Sequence, residues 1–323
     1  MGRRPGAPVP QAVVELPHVH LAAEMTSALA ASRVRAGDWA RVGRGAYLPV
    51  GAGDPRDEEH RRALAAIAAV AHGSRAPVVF SHVSAALLWG LTLWRLPDRV
   101  HVLHPSRAGG ARDRNVVRHT GKLPDEDVAG IAGLRVTSLE RTVLDCAALL
   151  PPLDGLVVTD SALAAGASAG TLAARALAAR GVRGIAKVRV VTAFGDDGAE
   201  SAYESASRFV VLRAGLPRPE TQVETRTHLG TSWTDWGWPE LGVLAEYDGR
   251  AKYDDRHAFM AEKRRHDAIV ETGRRIVRVV REDLDDDRRL LARILPLLPT
   301  AVVRAARPHP FLTGRAATRP PSS

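Results

Sequence analysis

Cysteine is nearly absent from this chain, which has only Cys146 among its 323 residues. One thiol excludes an intramolecular disulfide and a thiolate metal cluster, and its apolar helical surroundings predict a small buried side chain. Long apolar runs are also missing, because none approaches the roughly eighteen uninterrupted apolar residues that a membrane span needs. The opening residues, Met1-Gly-Arg-Arg-Pro, have no apolar segment behind their charges, so the sequence predicts no signal peptide. We therefore expect a soluble, cytoplasmic protein without a membrane partner.

Basic residues outnumber acidic ones. The chain has 45 Lys and Arg against 36 Asp and Glu, which gives a formal net charge of +9 and a pI of about 10.5. Such a surplus favours a polyanionic partner such as DNA. An Ala-rich and Arg-rich composition is also what a GC-rich genome produces, so the charge permits nucleic-acid binding without requiring it. The mass of 34.6 kDa predicts two or three domains.

Composition and periodicity divide the chain into five segments. Residues 1–17 and 304–323 are rich in Pro, Gly and Arg without periodicity, so both are predicted to be disordered. Between them we predict a winged helix-turn-helix in 18–53, an α/β domain in 54–195 and an αβββαβ domain in 196–298. The predicted fold class is therefore mixed α/β.

The segment 18–53 predicts helices followed by a small basic hairpin. The strand candidates Trp39–Val42 and Ala46–Leu48 flank Gly43-Arg-Gly45, a connection typical of a tight hairpin. Helices followed by such a hairpin indicate a winged helix, whose wing would bring Arg41 and Arg44 to DNA phosphates. An ordinary surface hairpin explains the same composition.

The segment 54–195 is predicted to be an α/β scaffold. A helix is expected over Glu58–His72, and Thr137-Ser-Leu-Glu140 matches a capping box that would begin a further helix. Ser81-His82 lacks a carboxylate placed to orient the histidine, so a structural role is favoured over nucleophilic catalysis. His101 and His104 lie three residues apart on a predicted strand, which points them to opposite faces and argues against joint metal ligation.

An acidic constellation stands out in the last third of the chain. Two neighbouring predicted strands carry Asp235 and Glu246, and their tight connection brings both carboxylates to one end of a sheet. Glu204, on the preceding predicted helix, is a candidate third acid. Carboxylates on rigid strands are the ligands that Mg²⁺ or Mn²⁺ takes, and such an ion activates water and stabilises charge on a phosphate.

These residues carry a resemblance to a known family. Glu204-Ser205, Ala214-Gly-Leu-Pro217, Asp235 and Glu246-Tyr-Asp-Gly249, followed by a closing strand, resemble the restriction-endonuclease-like family related to very-short-patch repair endonucleases. The resemblance covers about ninety residues and implies a PD-(D/E)XK core that hydrolyses DNA.

The chain departs from that family pattern at one position. The family places Lys two residues after the Glu, where this chain has Asp248. Lys252 or Lys263 would then supply the basic group, with Lys263 preferred and Arg264 beside it as a candidate DNA contact. A surface pairing of Lys263 with Asp267 explains the same residues equally well.

The region before the acidic constellation resembles a second family. Val42-Gly-Arg-Gly-Ala-Tyr-Leu, Ser81-His-Val-Ser-Ala-Ala-Leu-Leu-Trp-Gly90 and Val136-Thr-Ser-Leu-Glu-Arg-Thr-Val-Leu-Asp145 are similar to AbiEi-type antitoxins of abortive-infection systems. That resemblance implies a winged helix that represses transcription and a domain that opposes a nucleotidyltransferase-type toxin.

Two functions therefore compete. The first is a metal-dependent DNA endonuclease, a hydrolase that uses Asp235 and Glu246 as ligands and Glu204 as support. The second is a non-catalytic DNA-binding regulator or antitoxin, in which Asp248 marks a degenerate nuclease fold.

Overall fold

A computed structural model describes residues 14–51, 53–74, 78–104, 113–179, 181, 184–248 and 256–313, without the side chains of 256, 258 and 259. The described chain forms two compact units, 14–146 and 147–313. The division falls inside the segment 54–195 that the sequence assigns to one domain. None of the described helices is long and apolar enough to cross a membrane.

A small antiparallel sheet opens the first unit. Its elements are β1 (His20–Leu21), α1 (Ser27–Arg35), β2 (Trp39–Gly43) and β3 (Ala46–Pro49), with strand order β1-β3-β2. The predicted hairpin is present, and Gly45 turns it with φ of +66°. The helices expected in 18–53 are observed as one 3₁₀ turn and α1. Leu21 pairs with β3, and Thr26 caps the start of α1, so the helix begins only at Ser27.

A long helix packs on this small sheet. Asp54 caps α2 (Pro55–Gly73) by accepting a hydrogen bond from Arg56 N, and Pro55 occupies the first helical turn, where its missing N–H is harmless. Ala65 and Ala68 of α2 pack against Leu48. The predicted amphipathic helix is confirmed, and the small alanines let it lie close to the strands.

A five-stranded sheet follows, with strand order β6-β5-β4-β8-β7. Antiparallel pairs join β4 to β5 and β7 to β8, and parallel pairs join β5 to β6 and β4 to β8. The elements are β4 (Val79–Phe80), α3 (His82–Leu88), β5 (Val100–His104), β6 (Val116–Thr120), β7 (Val128–Ile131), β8 (Leu134–Thr137) and α4 (Leu139–Leu149).

The helix predicted from Thr137 begins two residues later. Thr137 ends β8, and its hydroxyl shares a 2.7 Å hydrogen bond with the hydroxyl of Thr142. The first helical residue of α4 is Leu139. On α4, Arg141 donates to Asp145 at 2.9 Å and also to Asp127 at 3.0 Å.

The second unit begins with helices and continues as an α-β-β-β-α-β run, the element order that the sequence predicts. Its strands form a sheet of order β12-β11-β10-β9, in which only β11 and β12 are parallel among the pairs described. The elements are α5 (Pro152–Ala164), α6 (Ala169–Ala178), α7 (Ile185–Ala193), α8 (Ala202–Arg213), β9 (Glu220–Thr227), β10 (Gly230–Trp238), β11 (Val243–Tyr247), α9 (Arg256–Val270) and β12 (Arg275–Val279).

Three short helices complete the second unit: α10 (Arg281–Asp285), α11 (Asp287–Ile294) and α12 (Thr300–Ala305). Trp236 and Trp238 of the sheet pack in one core with Leu290 and Ile294 of α11. The residues after α12 also pack, because Leu312 is buried. The sequence assigns residues from 304 onward to a disordered tail, whereas the described chain packs as far as Leu312; residues 1–13 and 314–323 lie outside the described chain.

A buried ion pair ties α5 to α8. Arg208 and Asp160 are both essentially inaccessible, and the guanidinium Nη2 donates to both carboxylate oxygens at 2.8 Å. Nη1 donates to the carbonyl of Phe194, and the backbone N of Asp196 donates to Asp160. The pair is embedded in a network, which is the condition under which two buried charges are tolerated.

Asp160→Ala is expected to lower the free energy of unfolding by about 3–5 kcal/mol, because it leaves the Arg208 guanidinium buried without a counter-charge. Urea denaturation followed by circular dichroism measures the loss. Glu224→Ala breaks the exposed pair with Arg226 in the same unit and should cost less than about 1 kcal/mol. Equal losses for the two variants would contradict this account of the buried pair.

Candidate functional site

The pairing of β10 with β11 places the two predicted carboxylates opposite each other. Trp236 pairs with Ala245, and one further step along the antiparallel register sets Asp235 across from Glu246. Because side chains alternate along a strand, both lie on the face opposite the Trp236 core. The sequence prediction that a strand pair brings these acids together agrees with this register.

Asp235 has an environment that disfavours its charge. Its Oδ2 accepts a 2.6 Å hydrogen bond from the backbone N of Tyr247. Burial is the largest cause that raises the pKa of Asp235 to about 8, and the nearby Glu204 and Glu246 carboxylates act in the same direction. The hydrogen bond from Tyr247 opposes them without cancelling them. Burial and the neighbouring carboxylates therefore favour the protonated form of Asp235 near neutral pH.

Glu246 is held by an arginine that the sequence analysis did not single out. Arg265 of α9 donates from Nη1 and Nη2 to the two oxygens of Glu246 at 2.7 and 3.0 Å. The same guanidinium donates to Glu262 from Nη2 at 2.7 Å and from Nε at 2.9 Å. The hydrogen bonds that Arg265 donates to Glu262 are the largest cause that raises the pKa of Arg265. Arg265 therefore supplies the positive charge beside the acidic pair.

Arg265 lies on the face of α9 that meets the sheet. Ala268 and Ile269 are the buried residues among the described side chains of α9, and Arg265 precedes them by three and four positions. Residues with that spacing share a helix face, so Arg265 faces the sheet. Its partner Glu262 lies one further turn back on the same face.

Glu204 makes hydrogen bonds at the start of α8. Ser201 caps the helix by accepting from Glu204 N, while Glu204 accepts from Ser201 Oγ at 2.9 Å and from the backbone N of Glu200 at 2.8 Å. Burial is the largest cause that raises the pKa of Glu204. The Glu204 carboxylate thus holds the backbone and the capping serine at the start of α8, and its charge acts on Asp235 from nearby.

The remaining predicted residues are dispersed. Asp248 pairs with Arg278 at 3.6 Å, and Lys263 and Arg264 are exposed on α9. Lys252 lies outside the described residues. None of the three described residues contacts Glu246 in the way that Arg265 does, so the structure favours Arg265 over Lys263 as the basic neighbour.

The donor set is a partial fit for Mg²⁺ or Mn²⁺. Asp235 offers a carboxyl whose charge a divalent cation would stabilise, and Glu246 stands opposite it. Both oxygens of Glu246 already accept from Arg265, so binding there requires the guanidinium to move or to share its acceptor. Asp235 and Glu246 are the residues that would hold the ion, with Glu204 committed to its helix.

Two of the three arginines predicted to contact DNA, Arg41 and Arg44, lie on the hairpin of the first unit. Arg41 on β2 and Arg44 in the turn are both exposed. Nε of Arg41 donates to the carbonyl of Gly43 at 3.2 Å, which holds the side chain along the turn. Both guanidinium groups are accessible to a phosphate.

Comparisons with known proteins place the chain in a family. It is 34% identical over 202 residues to the uncharacterized proteins MT2308 and Rv2248 of Mycobacterium tuberculosis strains CDC 1551 and H37Rv, covering 60% of this chain and 72% of each relative. The chain belongs to their family. Residues 78–192 also match the AbiEi antitoxin C-terminal domain, in agreement with the AbiEi resemblance seen in the sequence. This match spans β4 to α7, and Asp235 and Glu246 lie outside it.

Asp235→Asn should alter the pH dependence of stability. The folded state keeps the Asp235 proton up to about pH 8, whereas the unfolded chain releases it near its ordinary value of 3.8. The folded state therefore binds more protons between these values, and stability falls as pH rises through them. The neutral amide removes this loss, so the variant should gain more than about 1 kcal/mol relative to wild type between pH 5 and pH 8.

Urea unfolding at both pH values with EDTA present measures this difference. Asp248→Asn, at the end of the neighbouring strand, is the matched control and should keep the wild-type pH dependence. An unchanged pH dependence in Asp235→Asn would show that the Asp235 carboxyl titrates normally.

Proposed function

We propose that this chain is the antitoxin-type, DNA-binding member of a toxin–antitoxin pair. The observation that carries the proposal is the match of residues 78–192 to the AbiEi antitoxin C-terminal domain. An antitoxin of this type opposes a nucleotidyltransferase-type toxin, so that class of enzyme is the proposed protein partner.

The basic hairpin supports a role in DNA binding. Arg41 and Arg44 project from a short antiparallel hairpin that precedes the matched domain, and the chain carries a net charge of +9. Exposed guanidinium groups bind phosphate oxygens and set the register of a protein on a duplex. The proposed winged helix would place this hairpin on the DNA upstream of its own gene.

The acidic pair is consistent with a non-catalytic domain. Arg265 donates to both oxygens of Glu246, Glu204 accepts hydrogen bonds at the start of α8, and Asp248 stands where a lysine would be needed. Each of these contacts has a structural explanation that requires no reaction. The proposed role of the second unit is therefore to support binding.

Replacing Arg41 and Arg44 together by alanine should abolish two phosphate contacts. In a gel-shift assay with the DNA upstream of the gene, the slope of log affinity against log salt should fall by about 2, since each contact contributes about 0.9. Protection of growth against the nucleotidyltransferase-type toxin should persist, because both arginines lie outside residues 78–192.

Arg99→Ala is the matched control, since Arg99 is exposed and pairs only weakly with Asp98 at 3.7 Å. It should leave both DNA binding and growth protection intact. Failure of the wild-type chain to bind the upstream DNA at low salt, together with failure to protect growth, would overturn the proposal.

A second candidate is a metal-dependent DNA endonuclease. It is favoured by one observation, the raised pKa of Asp235 opposite Glu246 on adjacent strands of the α-β-β-β-α-β run. When bound, a divalent cation would activate water and stabilise charge on the scissile phosphate. Asp235 and Glu246 would hold that ion, and Arg265 would orient Glu246 or contact the phosphate.

The endonuclease candidate predicts that the wild-type chain nicks supercoiled plasmid with Mg²⁺ or Mn²⁺. Asp235→Asn and Glu246→Gln should each reduce nicking by at least about 100-fold, the order of loss for removing a group that stabilises a transition state. Asp267→Asn, an exposed acid on α9, should cut at the wild-type rate. Equal nicking by Glu246→Gln and wild type would assign the activity to a contaminant.

A further inference from the structure

Three histidine side chains meet in the first unit. His82 is the first residue of α3, His101 lies on β5, and His119 lies on the neighbouring strand β6. The parallel register pairs His101 with Val117, so His119 follows two residues later and shares its face of the sheet. Each of the three lies inside residues 78–192.

The nitrogen atoms are spaced for a metal ion. Nδ1 of His101 lies 3.0 Å from Nε2 of His119. Two Zn–N bonds of about 2.0–2.1 Å at a tetrahedral angle separate their nitrogens by about 3.3 Å, so a small opening admits an ion. One ligand atom from each of the three rings lies within 4.8 Å of the other two, and no other three His, Cys, Asp or Glu residues among those described come this close.

One ring must turn to complete the site. The rings of His82 and His119 are stacked, with centroids 3.6 Å apart and planes 17° apart. Lone pairs in nearly parallel planes do not converge on one point, so ligation requires rotation of His82 or His119 about χ2. His119 is only half-buried at the edge of the sheet, and this leaves it room to turn.

The surroundings keep the rings neutral. His82 and His101 are each 9% exposed. Burial is the largest cause that lowers the pKa of His82 to about 2 and that of His101 to about 4, and the neighbouring imidazoles act in the same direction. Burial lowers the pKa of His119 as well. Neutral imidazole is the form whose nitrogen binds a metal ion.

A serine hydroxyl orients the ring of His82. Ser81 Oγ lies 3.0 Å from Nδ1 of His82, which leaves Nε2 as the ligand atom. A contact of this kind fixes the tautomer and direction of a metal ligand. His82 has φ of +52°, a conformation that a non-glycine residue rarely adopts and that surrounding contacts must hold. The backbone of His101 is held separately, because its N donates to Ser84 Oγ at 2.8 Å.

We propose that His82, His101 and His119 bind one Zn²⁺ ion or a similar late first-row divalent cation. Imidazole suits such borderline ions better than it suits Mg²⁺. Three protein nitrogens leave the fourth tetrahedral position open to water or to an anionic group. The site shares no residue with the Asp235 and Glu246 pair, so it stands or falls separately from the proposed function.

The test titrates the full chain, stripped with EDTA, with ZnCl₂ in an isothermal calorimeter. Excess Mg²⁺ is present to compete for carboxylates, and the background Asp235→Asn plus Glu246→Gln removes the acidic pair. We expect one Zn²⁺ per chain, and at least about a tenfold loss of affinity in His119→Gln, since even indirect disturbance of a ligand costs 10–100-fold. His104→Gln, on the same strand as His101, is the matched control and should bind as wild type does.

A spectroscopic measurement covers the case in which a histidine variant misfolds. Co²⁺ added to the wild-type chain should give the visible absorption of a tetrahedral site, and X-ray absorption of the Zn²⁺ form should show three imidazole ligands. Absence of Zn²⁺ binding by the wild type, wild-type affinity in a folded His119→Gln variant, or a zinc shell without imidazole would each overturn the proposal.

Discussion

The buried pair of Arg208 and Asp160 is the constraint on which the second unit depends. It fixes α8 against α5 at full burial. One residue before Arg208, Ser207 accepts a 2.7 Å hydrogen bond from the indole of Trp236. Trp236 is the neighbour of Asp235 on β10, so the ion pair sets the position of the strand that carries the acidic site. The buried polar side chains of α8, Ser207 and Arg208, thereby connect the packing of α8 on α5 to the strand that carries Asp235.

The acidic pair, Asp235 and Glu246, is compatible with two interpretations, a cation site and an ion-pair network. Burial raises the pKa of Asp235 to about 8, and no cationic side chain among the described residues pairs with it, whereas Glu246 pairs with Arg265. A cation site and an ion-pair network both require carboxylates on rigid strands. The guanidinium of Arg265 distinguishes the two arrangements. It neutralises the charge of Glu246, whereas Asp235 stays protonated near neutral pH.

The sequence predicted the elements better than it predicted their contacts. Alternating and apolar patterns located the strands that carry Asp235 and Glu246, and Gly43 with Gly45 located the first hairpin, because these signals are local. The helix start predicted at Thr137 was two residues early, because Thr137 ends β8 and α4 begins at Leu139. Arg265 was missed because its role depends on which helix face meets the sheet. The side chains around the acids are therefore set by packing that a linear pattern does not contain.

The histidine trio was missed for a topological reason. The spacing of His101 and His104 along one strand does not show that the neighbours of His101 come from α3 and from β6. Strand order β6-β5-β4 brings them together, and that order does not follow from spacing. The spacing of residues along one strand therefore does not identify metal ligands that neighbouring parallel strands bring together.

The close contact at Gly215 has a consequence for the end of the chain. A Cβ at this position, where φ is +77°, would lie 1.8 Å from the carbonyl oxygen of Arg307. The segment that follows α12 therefore passes directly over the backbone at the end of α8, where His309 N also donates to the carbonyl of Arg213. The described residues after α12 are therefore held against α8, with Leu312 buried among them. A side chain larger than hydrogen at position 215 would displace the segment after α12 and expose Leu312 to water.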